Sequence, residues 1–77
     1  MNLARIRVER DSAGVWLWEV ILPSGDLHEM GSEPEPLDAL TVALDSELDA
    51  AGAGLCQLPH APVVYKDSQS NQEVSHD

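Results

Sequence analysis

The sequence predicts an α+β fold, in which a three- or four-stranded antiparallel sheet carries one helix on one of its faces. Apolar residues alternate with charged ones near the N-terminus, and they recur at three- and four-residue steps in the middle of the chain. A chain of 77 residues forms one small domain at most. We therefore expect a single domain over residues 1–66 and a disordered, acidic and polar tail over residues 67–77.

Three strands are expected before the helix. Residues 4–9 alternate between apolar and charged side chains, which is the pattern of a strand with one buried face. Residues 15–22 are rich in β-branched and aromatic side chains on both faces, which indicates a central strand. A third, shorter strand is expected over residues 27–31. The segments 11–14 and 23–26 have the glycine and aspartate or proline of turns, so the strands would form an antiparallel meander.

The helix is predicted from its first turn, its apolar spacing and the glycine that follows. Pro36 suits the first helical turn, and Gly52 is a suitable residue to end the helix. Between them, five apolar side chains recur on one stripe that would pack on the sheet. These residues are Leu37, Leu40, Leu44, Leu48 and Ala51.

After the helix, residues 53–62 are expected to form a loop, and residues 63–65 a fourth strand at a sheet edge. From Asp67 onward, serine, glutamine, asparagine and charged residues dominate, and Val74 is the only apolar residue. A segment of this composition buries too little apolar surface to offset the entropy lost on ordering. We therefore expect the tail to be disordered in the free protein.

The charge of the chain is strongly one-sided. The formal net charge is −10, and the stretch from Asp11 to Tyr65 has ten aspartates and glutamates but no lysine or arginine. A surface of one sign is informative about partners: it disfavours nucleic acid as a direct ligand and favours a basic protein surface. Arg5, Arg7 and Arg10 form the only basic cluster, which is too small for a nucleic-acid interface. General solubility and adaptation to high salt are alternative explanations of the acidity.

The acidic residues of the helix gather on one side. Asp38, Asp45 and Asp49 fall within about 40° of one another on a helical wheel. Asp45 and Asp49 are like charges four residues apart, which costs an isolated helix about 0.2–0.5 kcal/mol. Because the sequence accepts acid there against the local stability of the helix, we interpret this face as functional. The candidate partner-binding acids run from the segment before the helix along its solvent side: Glu33, Glu35, Asp38, Asp45 and Asp49.

Trp16 and Trp18 are two residues apart on a predicted strand, so both side chains point to the same face of the sheet. In one interpretation they are core residues under the helix. In the other they lie on the open face and form an aromatic platform for a partner, where tryptophan is favoured at hot spots. Both faces of this strand are apolar. One face must therefore be covered by something other than the single helix, such as a symmetry mate or a target protein.

We expect no catalytic activity, metal ion or cofactor. His28, His60 and His76 are scattered over a predicted strand, loop and tail, so a common ligand set would require an improbable convergence. Cys56 has no predicted cationic neighbour and is most simply a small buried apolar residue. Residues 45–49 resemble a calcium loop superficially, but they lack its glycine and its distal glutamate. The chain contains no glycine-rich phosphate loop.

The sequence also indicates a location. Residues 1–5 do not begin an apolar run of the kind found in signal peptides. No stretch approaches the roughly 20 apolar residues of a membrane span. A lone thiol is compatible with a reducing compartment. We therefore expect a cytoplasmic protein that does not contact a membrane.

Part of the sequence is similar to a known family. The segment 9–16, the turn at 23–25, Gly31-Ser32 and the helical segment 37–40 resemble the partial RNase-H-like fold of HicB-type antitoxins. The resemblance covers roughly residues 4–51 and is carried mostly by turn glycines and helical spacing. We expect no DNA-binding segment in residues 52–77 of the kind that HicB antitoxins usually carry after this domain. The resemblance therefore implies toxin neutralisation rather than operator binding.

A second resemblance is one of general character. A very short, acidic and lysine-poor chain is similar to inhibitors made by phages and plasmids, including DNA-mimicking anti-restriction and anti-CRISPR proteins. In those proteins carboxylates stand in for phosphates and occupy a basic groove. This resemblance implies no particular functional residues in this chain.

The sequence as a whole favours a non-catalytic acidic inhibitor of phage or mobile-element type. It would block a basic surface on a nucleic-acid-binding protein or complex, without contacting nucleic acid itself. The alternatives are a HicB-like antitoxin and a self-associating accessory domain that acts through its tryptophan-bearing sheet face. A homodimer is compatible with each of them, because a single small core supplies only about 3–5 kcal/mol of net stability.

Overall fold

The computed structural model describes residues 2–67, which form one four-stranded sheet and one helix. The elements follow one another as β1 (Arg5–Arg10), β2 (Trp16–Ile21), β3 (Leu27–Glu33), α1 (Pro36–Gly52) and β4 (Val64–Asp67). The predicted α+β class, with one helix packed on one face of a sheet, is confirmed. The predicted tail lies outside the described residues except for Asp67, which belongs to β4.

The order of strands in the sheet is β3-β2-β1-β4. β1 pairs with β2 and β2 with β3 in antiparallel register, as the meander predicts. β4 pairs with β1 in parallel register, so the sheet is mixed rather than wholly antiparallel. β4 is parallel because α1, which connects it to β3, returns the chain to the end of the sheet where β3 began. The strand that follows α1 must therefore run in the same direction as β3 and β1.

The turn between β1 and β2 is held by a side chain. One carboxylate oxygen of Asp11 accepts hydrogen bonds from the backbone N–H groups of Ala13 and Val15, both at 2.9 Å. Gly14 has a φ of +86°, which glycine adopts without steric cost. The aspartate and glycine of this segment therefore specify the turn that reverses the chain.

A β-bulge interrupts the pairing of β2 with β3. Val20 pairs with Glu29 and Ile21 pairs with Leu27, so His28 is the extra residue. Without the bulge, Leu27 and Met30 would point to opposite faces of β3. The extra residue brings both side chains to the face that the helix leaves open.

The core lies between the sheet and α1, and it includes both tryptophans. Trp16 is 7% exposed and Trp18 is 4% exposed. The structure thus decides between the two faces of β2: Trp16, Trp18 and Val20 face the helix, and Leu17 lies on the open side. The buried apolar residues on this side of the sheet and in the segments covering it are Ala4, Ile6, Val8, Trp16, Trp18, Val20, Ala39, Ala43, Ala50 and Cys56.

The helix is buried through its alanines rather than through its leucine stripe. Ala39, Ala43 and Ala50 are fully buried. The stripe that the sequence favours for packing, Leu37, Leu40, Leu44, Leu48 and Ala51, is rotated by about 120° from this buried face. We call it the leucine flank. Leu37 is 71% exposed and Leu48 is 54% exposed, whereas Leu40, Leu44 and Ala51 pack at the border of the core. Two tryptophan rings on the sheet leave room for small side chains on the opposing helix, which explains the difference.

The end of the helix differs from the prediction by two residues. Gly52 belongs to the helix, and Gly54 is the residue in the left-handed conformation, with a φ of +78°. The N–H of Leu55 donates to the carbonyl of Ala50, and that of Gly54 donates to the carbonyl of Ala51. These two bonds form a Schellman motif with Gly54 at its left-handed position. The chain then turns back towards β1.

Candidate interaction surface

Three aspartates form one continuous flank of α1. Asp38, Asp45 and Asp49 are all exposed, and the centre of this group is about 120° from the buried face of the helix. We call this surface the acid flank. It runs along about 16 Å of the helix axis, since each residue adds about 1.5 Å. The leucine flank lies on the other side of the buried face, so acidic and apolar side chains occupy separate sides of the same helix.

A hydrogen bond shows which way the acid flank points. The hydroxyl of Ser46 donates to a carboxylate oxygen of Glu29 at 2.6 Å. Ser46 lies between the buried face and the acid flank on the helical wheel, and Glu29 belongs to the edge strand β3. The acid flank therefore lies above the β3 edge of the sheet. Glu29 adds a fourth, exposed carboxylate on that side, which the sequence pattern did not indicate because only the tertiary contact places it there.

Glu33 and Glu35 precede the regular part of the helix that carries the acid flank. Glu33 is half-buried at the end of β3 and pairs in register with Trp16. Glu35 is exposed and occupies the N-cap position of α1 with an extended backbone, but its side chain makes no capping hydrogen bond. Of the five acids singled out from the sequence, the structure brings together Asp38, Asp45 and Asp49 on one flank.

The cations of the described residues lie on β1 and β4, away from the acid flank. Arg7 contacts Glu9 and Glu19, each at 3.5 Å, on the open side of the sheet. Arg10 contacts Asp67 at 3.4 Å. Within residues 2–67, no ion pair reaches Asp38, Asp45 or Asp49. The acid flank therefore carries uncompensated negative charge.

Trp16 and Trp18 are not part of an exposed platform in this fold. The ring of Trp16 stacks on Tyr65, with centroids 5.3 Å apart, and the guanidinium of Arg10 lies 5.9 Å from its centroid. The ring of Trp18 lies under Gly31, where an added Cβ would come within 2.8 Å of it. Both rings are therefore packed inside the domain, and little of their surface is exposed to a partner.

The thiol of Cys56 and the carboxylate of Glu47 are both buried ionisable groups. Cys56 is buried, and desolvation together with the nearby Glu47 raises the pKa of its thiol. A raised pKa keeps the thiol protonated and therefore poorly nucleophilic. Glu47 is itself only 2% exposed, and one of its carboxylate oxygens has no hydrogen-bond partner among the described residues.

No candidate metal centre is found in the described part of the chain. No group of three or more histidine, cysteine, aspartate or glutamate side chains in residues 2–67 is arranged to hold a metal ion. An open depression of about 460 Å³ lies beside the loop after the helix, and it is lined by Asn2, Pro23, Gly54, Leu55, Cys56 and Gln57. His28 lies on β3, and His60 lies on the loop after the helix. His76 lies outside the described residues.

Comparisons of the chain with protein-family models, with curated proteins and with solved structures find no match. Within the described residues, α1 is the only helix, and it is neither long nor apolar enough to cross a membrane.

Proposed function

We propose that this chain is a non-catalytic binding protein whose acid flank occupies a basic surface on a partner protein. The observation that carries the proposal is the segregation of charge. Asp38, Asp45 and Asp49 are exposed on one side of a rigid helix, and they have no ion pair with any residue in 2–67. A binding protein gains from such a surface, because a basic partner supplies the missing counter-charges.

The second step concerns the partner's chemistry. Proteins that handle nucleic acid have basic surfaces because they neutralise phosphates. A row of carboxylates along about 16 Å of helix offers negative charge in the same place that a phosphate backbone would occupy. We therefore propose a nucleic-acid-binding protein or complex as the partner. Blocking its groove would make this chain an inhibitor, of the kind that DNA-mimicking proteins of phages and plasmids provide.

The charge of the whole chain strengthens the same proposal. A net charge of −10 on 77 residues attracts a basic partner over distances longer than direct contacts. We expect rapid association, and we expect the affinity to fall as salt screens the attraction. Neutralisation of a toxin, as in HicB-type antitoxins, is compatible with the same surface where the toxin is basic.

The test combines charge reversal with a matched control. The purified chain is used to capture proteins from a cell lysate, and capture is compared among wild type, Asp45→Lys/Asp49→Lys, Asp45→Lys and Asp26→Lys. Asp26 is exposed in the turn between β2 and β3 and is not part of the acid flank. Asp26→Lys changes the net charge as much as Asp45→Lys does, so it is the matched control. We expect the double reversal to lower the affinity for the captured protein by at least about tenfold, and Asp26→Lys to lower it much less.

The captured protein is then purified and titrated with the chain at increasing salt, with and without duplex DNA as a competitor. Competition by DNA, together with a steep fall of affinity with salt, supports a basic nucleic-acid-binding groove as the target. The proposal is wrong if affinity is insensitive to salt, or if Asp26→Lys weakens binding as much as Asp45→Lys. Circular dichroism of each variant checks that the fold is retained.

A further inference from the structure

The face of the sheet opposite the helix is uncovered and carries a mixture of apolar and charged side chains. Within the described residues, no element packs on this side. We call it the open sheet face. Its apolar residues are Leu17, Ile21, Leu27, Met30 and Val64, and its charged residues are Arg5, Arg7, Glu9, Glu19 and Lys66.

Most of the apolar residues lie on β2 and β3 and most of the charged ones on β1 and β4, although Glu19 pairs in register with Met30 and Val64 with Arg7. The apolar side chains gather on β2 and β3, where the bulge at His28 brings Leu27 beside Met30. Charges of both signs lie mainly on β1 and at the β4 edge, and Arg7 pairs there with Glu9 and Glu19. An exposed apolar patch with a charged rim is typical of protein interfaces.

From this face we infer that two copies of the chain associate through their open sheet faces. Charge on this face favours the pairing. The face contains three cations and two anions, a formal charge of +1, whereas the chain as a whole carries −10. Because the face is nearly neutral, two copies approach each other there with little local repulsion. Its arginines can meet the glutamates of the second copy, while the acid flanks point away from the interface.

The same face suits a two-fold axis. An isologous interface joins one patch to itself, so apolar residues must meet apolar residues. An axis near Leu17 and Met30 would place the β2–β3 halves of both copies against each other. The β1 strands would then form the charged rim. This arrangement leaves the acid flank of each copy free, so the inference is independent of the proposed function.

The size of the face limits the affinity. Three strands of about 20 Å and β4 of about 13 Å, spaced about 4.8 Å apart, give a footprint of about 350 Å² per copy. This area is at the low end of specific interfaces, so we expect a dimer with a dissociation constant of about 0.1 mM rather than a permanent one. Because the two copies also repel each other through their net charges, added salt should strengthen the dimer.

The experiment is sedimentation velocity of the purified 77-residue chain from about 10 µM to about 1 mM, at about 50 and about 500 mM salt. The variants are Met30→Glu, on the open sheet face, and Leu48→Glu, on the helix. These residues are matched, since Met30 is 56% exposed and Leu48 is 54% exposed, and each change adds one negative charge. We expect Met30→Glu to weaken dimerisation at least about tenfold and Leu48→Glu to change it less than about twofold.

Backbone amide NMR shifts on dilution locate the contact independently of any variant. Shifts confined to the open sheet face of β1, β2 and β3 support the inference. A chain that stays monomeric at the highest concentration in both salts overturns it. Equal weakening by the two variants, shifts on α1, or new slowly exchanging amides on the β3 edge would also overturn it, since they indicate another mode of association.

Discussion

The two faces of the sheet are built from the same strands but have opposite character. The covered face presents the buried side chains of Trp16, Trp18 and Val20 to the alanines of α1. The open face presents Leu17, Met30 and several ion-pairing residues to solvent. The same strands therefore fill one face by packing and leave the other exposed to solvent.

The largest expected effect is that of Trp18→Ala on the covered face, and its control is Leu17→Ala on the open face. Trp18→Ala removes a ring that is 4% exposed, and we expect it to lower the free energy of unfolding by about 3–5 kcal/mol. A loss of that size is comparable to the whole stability of a small domain, so the variant should be largely unfolded. Leu17→Ala, one residue away on the open face, should cost about 1 kcal/mol or less. Urea unfolding followed by far-ultraviolet circular dichroism measures both.

A smaller effect tests how tightly the covered face is filled. A Cβ at Gly31 would lie 2.8 Å from the Trp18 ring, so Gly31→Ala should destabilise the fold by about 1–3 kcal/mol through overpacking. Ser32→Ala is the control, because Ser32 is exposed on the open side of the same strand and its loss should cost about 0.5 kcal/mol or less.

A double-mutant cycle sharpens the Gly31 prediction. The smaller ring of Trp18→Phe should relieve the clash, so Gly31→Ala should cost less in that background than in the wild type. Equal costs in both backgrounds would show that the ring of Trp18 is not what the added methyl group meets.

The smallest expected effect concerns Cys56, which is buried and lies in the loop after α1. Burial and the nearby Glu47 raise the pKa of Cys56 above its usual value of 9.0. In the unfolded chain the thiol ionises near that value, whereas in the folded chain it stays protonated to higher pH. Its contribution to stability is therefore fully present below about pH 9 and is lost as pH rises through the higher pKa of the folded state.

The measurement compares the free energy of unfolding of wild type and Cys56→Ala from neutral to alkaline pH. Because other groups titrate there too, the informative quantity is the difference between the two proteins. We expect the wild type to lose more stability than Cys56→Ala above about pH 9. A constant difference across the range would show that burial does not raise the pKa of this thiol.

The elements of the fold could be predicted from local patterns. Alternation indicated β1, aromatic and β-branched residues indicated β2, and three- and four-residue spacing indicated α1. The acid flank was also predictable, since Asp38, Asp45 and Asp49 share a side of any regular helix. These features depend only on the periodicity of a backbone, which is the same whatever the element packs against.

The side of each element that becomes buried depended on partners that are distant in sequence. The leucines gave the most apolar stripe of α1, yet the helix packs through Ala39, Ala43 and Ala50 because the tryptophan rings of the sheet fill most of the space. The contribution of Glu29 to the acidic side likewise depends on a hydrogen bond across two elements. Such choices depend on volume and contact between elements, which no local pattern encodes.

The sequence by itself determined the α+β class, the order of the strands along the chain and the charge of one side of the helix, because each follows from local periodicity and composition. Tertiary structure alone decided that β4 runs parallel to β1, that the tryptophans are buried and that the opposite face is open. Both faces of β2 are apolar, so hydrophobicity could not choose between them. The choice was made by the shape of the helix surface that packs against one of them.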